Sequence, residues 1–377
     1  MKNILMLIRT TSLIYDDRVR KEAVSLSKMD SVNVMICAFE NKSPPFSLSN
    51  VSIFRKKIRL RKYFSSNKLL IAKLLEMYLT FIFCVKKTNP DLVWLHNFES
   101  VGLIPCFAFL NIFRKKKIKV IWDQHEMPPE FFYSNWVGKY FYKTLVKMAS
   151  GNVMATDSRI DFLRESCAIE TKIFCLENLP DEVFVNHKSN ELKSEVVSWL
   201  NGDDFFLCQG GYSITRGFSE VAKAFISAKK KIVFVGAKKQ TLIDCLVHDC
   251  LKEEVGKYCL FLDSVPQIEL TDFIDKAIGS VIFYKKSNIN NWLCAPNRFY
   301  QSLARSTPVL TGNNPIFVNA IKDSFSGVIA QTDGSLEKEI KKSILFFVEN
   351  KESFIVDSSY VWESQESIII ELVQSTI

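Results

Sequence analysis

The 377-residue sequence lacks the patterns that define several classes of protein. Its ten cysteines include no Cys-x-x-Cys pair, and most lie inside apolar runs, such as residues 34–38 and 205–209. This distribution indicates free core thiols in a reducing cytosol rather than a disulfide framework. Cys245, His248 and Cys250 lie close together, but one such cluster without a second does not predict a zinc site. No metal site is therefore expected.

Long apolar segments without charge are also missing. The opening run, residues 4–8, is too short for the core of a signal peptide and is interpreted as a first buried strand. Residues 67–87 are apolar but contain Lys73 and Glu76, and residues 98–113 are too short to span a bilayer. Both segments are predicted to be helices that cover a sheet. An interfacial position of residues 67–87 in a lipid leaflet is the alternative.

Acidic residues are scarce in the first part of the chain. Residues 1–150 carry 25 basic and 11 acidic side chains, a net charge of +14, whereas residues 151–377 carry 24 and 30, a net charge of −6. Basic clusters at residues 55–62 and 114–119 are expected to attract an anionic membrane at about 1 kcal/mol per basic residue near the surface. No nucleic-acid motif accompanies the charge, so nucleic acid is not a predicted partner. A solvated surface without a partner is the alternative.

Short apolar runs alternate with amphipathic segments along the whole chain, which is typical of doubly wound α/β domains with parallel sheets. The predicted strands are residues 4–8, 32–39, 92–96, 120–123, 153–156, 173–176, 205–209, 232–236, 259–262, 281–284, 309–311 and 328–330. A polar, acidic stretch separates the two halves. We therefore predict a Rossmann-like domain over residues 1–180, a linker over 181–203 and a second Rossmann-like domain over 204–357. Ligands are expected at the carboxyl ends of the strands, in a cleft that the domains face.

Residues 295–310 combine a helix start with a buried strand. Their free N–H groups and the positive end of the helix dipole would attract an anion. The segment is similar to the Ser-Pro-Asn-Lys-Leu-Phe-Glu-Tyr-Met-Ala-Ala-Gly-Xaa-Pro-Val run of retaining GT-B glycosyltransferases. The resemblance implies that Pro296, Asn297, Arg298 and Gln301 bind the donor. Gln301 stands where that family usually has a glutamate that accepts a ribose hydroxyl, and its amide carries no charge.

A glycine-rich loop follows the first strand of the second domain. Gly210 and Gly211 would let the backbone approach a phosphate, and Arg216 would neutralise it. The loop resembles the Gly-Gly-Xaa-Xaa-Xaa-Xaa-(Arg/Lys)-Gly loop of the same family, whose basic residue contacts the donor diphosphate. Ser264 and Val265 lie in a turn that resembles the family turn whose backbone meets the nucleotide base. A turn or loop without a ligand is the alternative in both cases.

In the first domain, Asp123, His125 and Glu126 come at the end of a predicted strand. This run resembles the Asp-Xaa-His-Glu motif of the family, whose histidine lies beside the transferred sugar, and the resemblance implies that these three residues are catalytic. The two-carboxylate arrangement of glycoside hydrolases is not assignable from the sequence.

Acceptor binding is assigned to three further residues. His96 and Asn97 end another strand where the family frequently has His-Asp, and an asparagine favours acceptor hydrogen bonding over general-base catalysis. Arg18 lies in the octet Asp-Asp-Arg-Val-Arg-Lys-Glu-Ala, which resembles a helix common in the family; the spacing of its apolar residues also fits plain core packing.

The resemblance covers nearly the whole chain and implies GT-B architecture, with a C-terminal helix over residues 358–377 that returns to the first domain. It implies transfer of a sugar from a nucleoside-diphosphate donor, UDP or GDP, to a glycan or lipid-linked acceptor in cell-surface polysaccharide synthesis. The expected mechanism is retaining and metal-independent and uses no cofactor. The expected location is the cytoplasm, peripheral at the inner face of the cell membrane. A nucleotide-sugar 2-epimerase of the same fold and a non-catalytic GT-B partner subunit are the alternatives.

Overall fold

The computed structural model describes most of the chain and divides it into two compact units. Unit 1 comprises residues 1–177 and 363–377, and unit 2 comprises residues 178–362. The described residues are 1–40, 46–63, 68–238, 240–322 and 324–377, with the side chains of residues 61 and 62 left out.

Unit 1 contains a parallel sheet of seven strands among its described residues, in the order β3-β2-β1-β4-β5-β6-β7. The strands are β1 (Lys2–Arg9), β2 (Val32–Phe39), β3 (Val51–Lys56), β4 (Leu92–His96), β5 (Lys119–Gln124), β6 (Gly151–Met154) and β7 (Phe174–Cys175). Residues 4–8 of β1 are fully buried, as a strand covered on both faces should be. The edge strand β3 was not predicted, because its side chains alternate between half-buried and exposed and include Arg55 and Lys56.

The helices of unit 1 cover this sheet and connect its strands. Those within residues 1–177 are α1 (Asp17–Ser27), α2 (Leu70–Thr88), α3 (Leu103–Ile112), α4 (Phe131–Ser134), α5 (Trp136–Met148) and α6 (Asp157–Cys167). Helix α2 buries Met77, Phe81 and Val85 and is a sheet-covering helix on that face, as predicted. Across the described residues, no helix is long and apolar enough to cross a membrane.

Unit 2 contains a parallel sheet of six strands in its described part, in the order β10-β9-β8-β11-β12-β13. The strands are β8 (Phe205–Gln209), β9 (Lys231–Val235), β10 (Cys259–Leu262), β11 (Gly279–Ile282), β12 (Val309–Thr311) and β13 (Gly327–Ile329). Its helices are α7 (Glu182–Val185), α8 (Ser194–Leu200), α9 (Phe218–Ala228), α10 (Gln240–Asp249), α11 (Lys252–Tyr258), α12 (Leu270–Ile274), α13 (Ile289–Trp292), α14 (Asn297–Ala304), α15 (Pro315–Ile321) and α16 (Glu337–Glu349).

Both faces of the second sheet are covered, because successive residues of β8 enter different apolar clusters. Phe206 packs with residues of α9 and α16 on one face. Leu207 packs with residues of α7, α8 and α12 on the other face. The predicted α/β class with two parallel-sheet domains is thus confirmed.

The boundaries differ from the predicted ones at the linker. Residues 181–203 belong to unit 2, because Phe184, Val196 and Leu200 are buried in its second apolar cluster. The last helix, α17 (Glu366–Thr376), belongs to unit 1 and packs on α1, where its Glu366 accepts a hydrogen bond from the Ser25 hydroxyl at 2.7 Å.

Candidate functional site

Each sheet has a point where the direction of winding reverses. In unit 2, the chain runs outward from β8 through β9 to β10 and then continues on the other side of β8 with β11. In unit 1, the same reversal lies between β1 and β4. Loops diverge at the carboxyl ends of such strand pairs and leave a crevice, which is where open α/β sheets bind ligands.

Arg298 spans the reversal point of unit 2. It lies in the first turn of α14 and is 7% exposed. Its Nη1 donates to the carbonyl of Gln209 at the end of β8 at 2.8 Å, and its Nη2 donates to the carbonyl of Phe283 just beyond β11 at 3.3 Å. The guanidinium therefore holds the two diverging strand ends together, so Arg298 has a structural role in addition to its predicted one.

A second guanidinium meets Arg298 at the glycine-rich loop. Gly210 has φ +113°, a conformation that favours glycine, and a Cβ there would lie 3.2 Å from Arg216 Nη1 and 4.0 Å from Arg298 Nη1. Arg216 also donates to the Gly211 carbonyl at 2.9 Å. Both guanidiniums lie over the Tyr284 ring, at 5.5 and 4.9 Å from its centroid. Neither arginine forms an ion pair with a described carboxylate, so the pair is an uncompensated cationic site.

The start of α14 is defined by Pro296 and Asn297. Pro296 has extended dihedral angles and is the N-cap, so the helix begins at the exposed Asn297 rather than at the proline. Gln301 lies one turn further on and is 5% exposed, and its Oε1 accepts a hydrogen bond from Gln209 Nε2 at 3.2 Å. The Gln301 carbonyl oxygen therefore has a partner within the protein.

One of the two residues of the predicted base-binding turn, Ser264, lies close to the glycine-rich loop. A Cβ on Gly236 would lie 3.3 Å from Ser264 Oγ and 3.4 Å from the Gly210 carbonyl oxygen. Ser264 thus adjoins the glycine-rich loop. The Val265 side chain instead packs against the apolar cluster that contains Leu207, so only its backbone is available for the predicted contact.

In unit 1, Arg18 of α1 and Asp123 of β5 form a buried, forked ion pair. Arg18 Nε and Nη2 donate to the two carboxylate oxygens at 2.9 and 2.8 Å, and the side chains are 6% and 0% exposed. Burial alone would raise the pKa of Asp123, but Arg18 and His125 hold it well below its ordinary value. Asp123 is therefore a carboxylate at neutral pH.

Two histidines contact this carboxylate. Asp123 Oδ2 lies 2.9 Å from His125 Nε2 and 3.4 Å from His96 Nδ1, and the two nitrogens are 3.2 Å apart. Because an ionised carboxylate only accepts hydrogen bonds, the 2.9 Å contact assigns a proton to His125 Nε2. That assignment leaves His125 Nδ1 as the basic nitrogen. His125 is 17% exposed, whereas burial lowers the pKa of His96 and keeps it neutral.

Glu22 completes the cluster, and sequence reasoning missed it. Its side chain is 0% exposed, with Oε1 3.1 Å from Arg18 Nε and Oε2 3.7 Å from His96 Nδ1. Neither oxygen makes a hydrogen bond to a described group. Burial and the neighbouring Asp123 raise the pKa of Glu22 well above its ordinary value.

Two predicted residues lie outside this network. Glu126 is exposed, and its catalytic role stays a prediction. Asn97 has φ +63° and ψ +166°, a region that is essentially restricted to glycine. Its N–H donates to the Asp123 carbonyl at 3.0 Å. The strained residue thus fixes the end of β4 against β5 beside His96.

The nitrogen and oxygen atoms of His96, Asp123 and His125 lie within 4.8 Å of one another and could hold a metal ion. Arg18 competes for this place, because its guanidinium already binds both oxygens of Asp123. Metal-independence stays a prediction.

Other contributors also escaped the sequence analysis. Tyr284 supports both arginines of unit 2, Gln209 links Gln301 to Arg298, and Arg159 Nη1 donates to the His125 carbonyl at 2.6 Å. Among these missed residues, only Glu22 could have been identified from the sequence, because it follows Arg18 by four residues on a helix and can pair with it.

Comparison with protein-family models and with curated proteins finds no match. Solved structures match over the whole chain. Sucrose-phosphate synthase from Thermosynechococcus elongatus has a TM-score of 0.72 at 11% identity, over 99% of this chain and 98% of that one. HepE from Anabaena, in complex with UDP-glucose, has a TM-score of 0.70 at 11% identity, over 100% of both chains. A protein described as a UDP-N-acetylglucosamine 2-epimerase, from Listeria monocytogenes, has a TM-score of 0.66 at 10% identity, over 99% and 96%. The chain thus has the GT-B fold.

Proposed function

We propose that this protein is a glycosyltransferase that moves a sugar from a nucleoside diphosphate, UDP or GDP, to a glycan or lipid-linked acceptor. One observation carries the proposal: Arg216 and Arg298 converge on Gly210 without a carboxylate partner among the described residues. Two guanidiniums beside open backbone and a helix start suit a diphosphate. The complexes of HepE with UDP and with UDP-glucose support a donor of this class.

In the proposed reaction, unit 2 binds the donor and stabilises the leaving diphosphate. Developing negative charge on the phosphate is stabilised by Arg216 and by the N–H groups at the start of α14. Unit 1 supplies His125, which Asp123 orients through Nε2 so that Nδ1 can accept a hydrogen bond from the sugar or the acceptor. Retention of configuration and independence of metal ions belong to this proposal.

Calorimetric titration with UDP and GDP tests the donor site. Loss of one charge-assisted contact costs about 1.5–3 kcal/mol, so Arg216→Ala should weaken diphosphate binding by about 10-fold to 150-fold. Lys342→Ala removes one charge from an exposed position of α16 and should leave binding unchanged. Absence of binding to the wild-type protein at millimolar nucleotide would contradict an enzyme and favour the non-catalytic partner subunit.

The 2-epimerase is the second candidate, and Glu22 is the observation that favours it. An epimerase needs carboxylates in addition to the histidine, and Glu22 is a buried carboxyl group beside His96. Incubation of the protein with UDP-sugars alone separates the candidates. Epimerisation of the donor without an acceptor would reject the transferase.

We also propose that unit 1 binds the inner face of the cell membrane from the cytoplasm. Lys56, Lys57 and Arg59 are exposed, whereas Arg55 pairs with the buried Glu40 at 3.2 Å and contributes less than the sequence suggested. The outward face of α2 carries exposed apolar side chains, namely Leu70, Ile71, Leu74, Leu75, Leu79 and Phe83. This face supports the interfacial position of α2.

Sedimentation with vesicles tests the membrane proposal. Replacing Lys56, Lys57 and Arg59 by Gln should reduce binding to anionic vesicles. Replacing Leu75 and Leu79 by Ser should reduce binding further, because it removes apolar area that the membrane would bury. Equal sedimentation of the wild-type protein and both variants would reject this surface.

A further inference from the structure

Two cysteines from different elements of unit 1 are in direct contact. Cys37 in β2 and Cys84 in α2 are 47 residues apart in sequence, and their sulfur atoms are 3.3 Å apart. Cys37 is 0% exposed and Cys84 is 7% exposed. Neither cysteine is a member of the proposed donor site or of the His96 cluster, so a reaction between them does not depend on the proposed function.

The geometry is close to that of a cystine. A disulfide bond needs a sulfur–sulfur distance of about 2.05 Å, so the atoms have only about 1.2 Å to close. Since α2 is a surface helix packed on one face, a small shift of this helix or a rotation about the Cys84 side chain brings the sulfurs together.

The two sulfurs are chemically different. The hydrogen bond from Cys37 lowers the pKa of Cys84 to about 7, against burial and with help from Lys56 and Lys87. The same hydrogen bond and burial raise the pKa of Cys37. Cys84 is also the more exposed of the two sulfurs, so we assign it as the nucleophile and Cys37 as the thiol that resolves its oxidised form.

We propose that Cys37 and Cys84 form an oxidisable dithiol that reacts with hydrogen peroxide to give a disulfide between β2 and α2. The Cys84 thiolate attacks one peroxide oxygen, so that an S–O bond forms and the O–O bond breaks. The hydroxide that leaves becomes water with the proton that Cys84 had released. The Cys37 sulfur then attacks the Cys84 sulfenic sulfur and releases a second water. Two thiols lose two electrons, and one peroxide becomes two waters.

The disulfide would lie beside a groove on the surface of unit 1. This groove has a volume of about 590 Å³, and its lining includes Phe39, Lys56, Thr80 and Phe83. Phe83 precedes Cys84, and Phe39 follows Cys37 by two residues. Oxidation would therefore fix α2, with its exposed apolar face, against the sheet.

Peptide mapping of the full-length protein after peroxide treatment tests the proposal. We expect loss of alkylation at Cys37 and Cys84, a cross-linked peptide containing both, and reversal by dithiothreitol. Cys37→Ser should leave a sulfenic acid at Cys84 that dimedone traps. Cys167→Ser, at another buried thiol of unit 1, should form the disulfide as the wild-type protein does.

Two outcomes would overturn the proposal. The first is that Cys37 and Cys84 remain fully alkylatable while the exposed Cys245 is oxidised. The second is that Cys84 is cross-linked to a cysteine other than Cys37. Both measurements use the wild-type protein, so a folding defect of a variant cannot hide them.

Discussion

Replacing Glu22 by Gln and replacing Asp123 by Asn should change the stability of unit 1 in opposite directions. Glu22→Gln and Asp123→Asn each replace a carboxyl group next to Arg18 by an amide of almost the same shape. Glu22 has two buried oxygens without hydrogen bonds and lies beside another carboxylate. An amide relieves the desolvation of this group and can donate to Asp123, so we expect Glu22→Gln to stabilise unit 1 by about 1–3 kcal/mol.

Asp123→Asn should destabilise unit 1 instead. Asp123 accepts two hydrogen bonds from a guanidinium that is 6% exposed. Removing one partner of a buried ion pair leaves an uncompensated charge, which costs about 3–5 kcal/mol. Glu22 would compensate this charge only in part, because its contact with Arg18 lacks hydrogen-bond geometry.

The pH dependence of stability separates the two groups. The pKa of Glu22 is raised in the folded state, so the folded protein binds more protons than the unfolded one above pH 4.5. Stability should therefore fall as pH rises through that window, and Glu22→Gln should remove this slope. The pKa of Asp123 is lowered, so its contribution is present above its ordinary pKa of 3.8 and is lost as pH falls below that value.

Urea unfolding between about pH 3 and pH 8 covers the range of both groups. Hydrogen exchange in strands β4 and β5 should report the unfolding, so that unit 1 is followed separately from unit 2. If Glu22→Gln lowers the stability of these strands as much as Asp123→Asn does, the assignment of Glu22 as a destabilising buried carboxyl group without hydrogen bonds is refuted.

Three further predictions concern other residues of the site. Asn97→Gly should raise the midpoint of thermal unfolding, because it relieves about 1–3 kcal/mol of backbone strain. Asn97→Ala should not raise the midpoint, and calorimetry of both variants measures the difference. Gln301→Glu should tighten binding of UDP but not of inorganic diphosphate, since an ionised acceptor makes a stronger hydrogen bond to a ribose hydroxyl. Equal UDP titration curves for the wild-type protein and the variant would contradict this. EDTA should leave transferase turnover unchanged because Arg18 occupies the Asp123 oxygens; a loss of turnover that added Mn²⁺ restores would show that the site needs a metal.

The fold was predictable because buried parallel strands are apolar on both faces. Strand β1 is one such run, and it could be assigned as a buried strand without knowledge of the neighbouring strands. The edge strand β3 could not, because it is paired on one side only and its exposed positions carry charge. Residues 181–203 were equally misleading, since their polar composition conceals Phe184, Val196 and Leu200 in the core of unit 2.

The candidate site was predictable where one segment carries the signal. The glycine-rich loop and the start of α14 are local patterns, and the structure brings them together at Gly210. Contacts between distant segments could not be derived. Arg18 meets Asp123 across 105 residues, and Tyr284 contacts both Arg216 of the glycine-rich loop and Arg298 of α14. Neither contact follows from spacing along the chain.

The two polar sites differ in charge balance, and that difference indicates how each responds to salt. The unit 1 cluster sets Arg18 against Asp123 inside the protein, where screening by ions is weak. The unit 2 site leaves Arg216 and Arg298 uncompensated among the described residues, so the charge of its ligand is what neutralises it. Affinity for a nucleoside diphosphate should therefore fall steadily with ionic strength. The stability change caused by Asp123→Asn should stay nearly constant, because the ion pair that it breaks is already shielded from solvent.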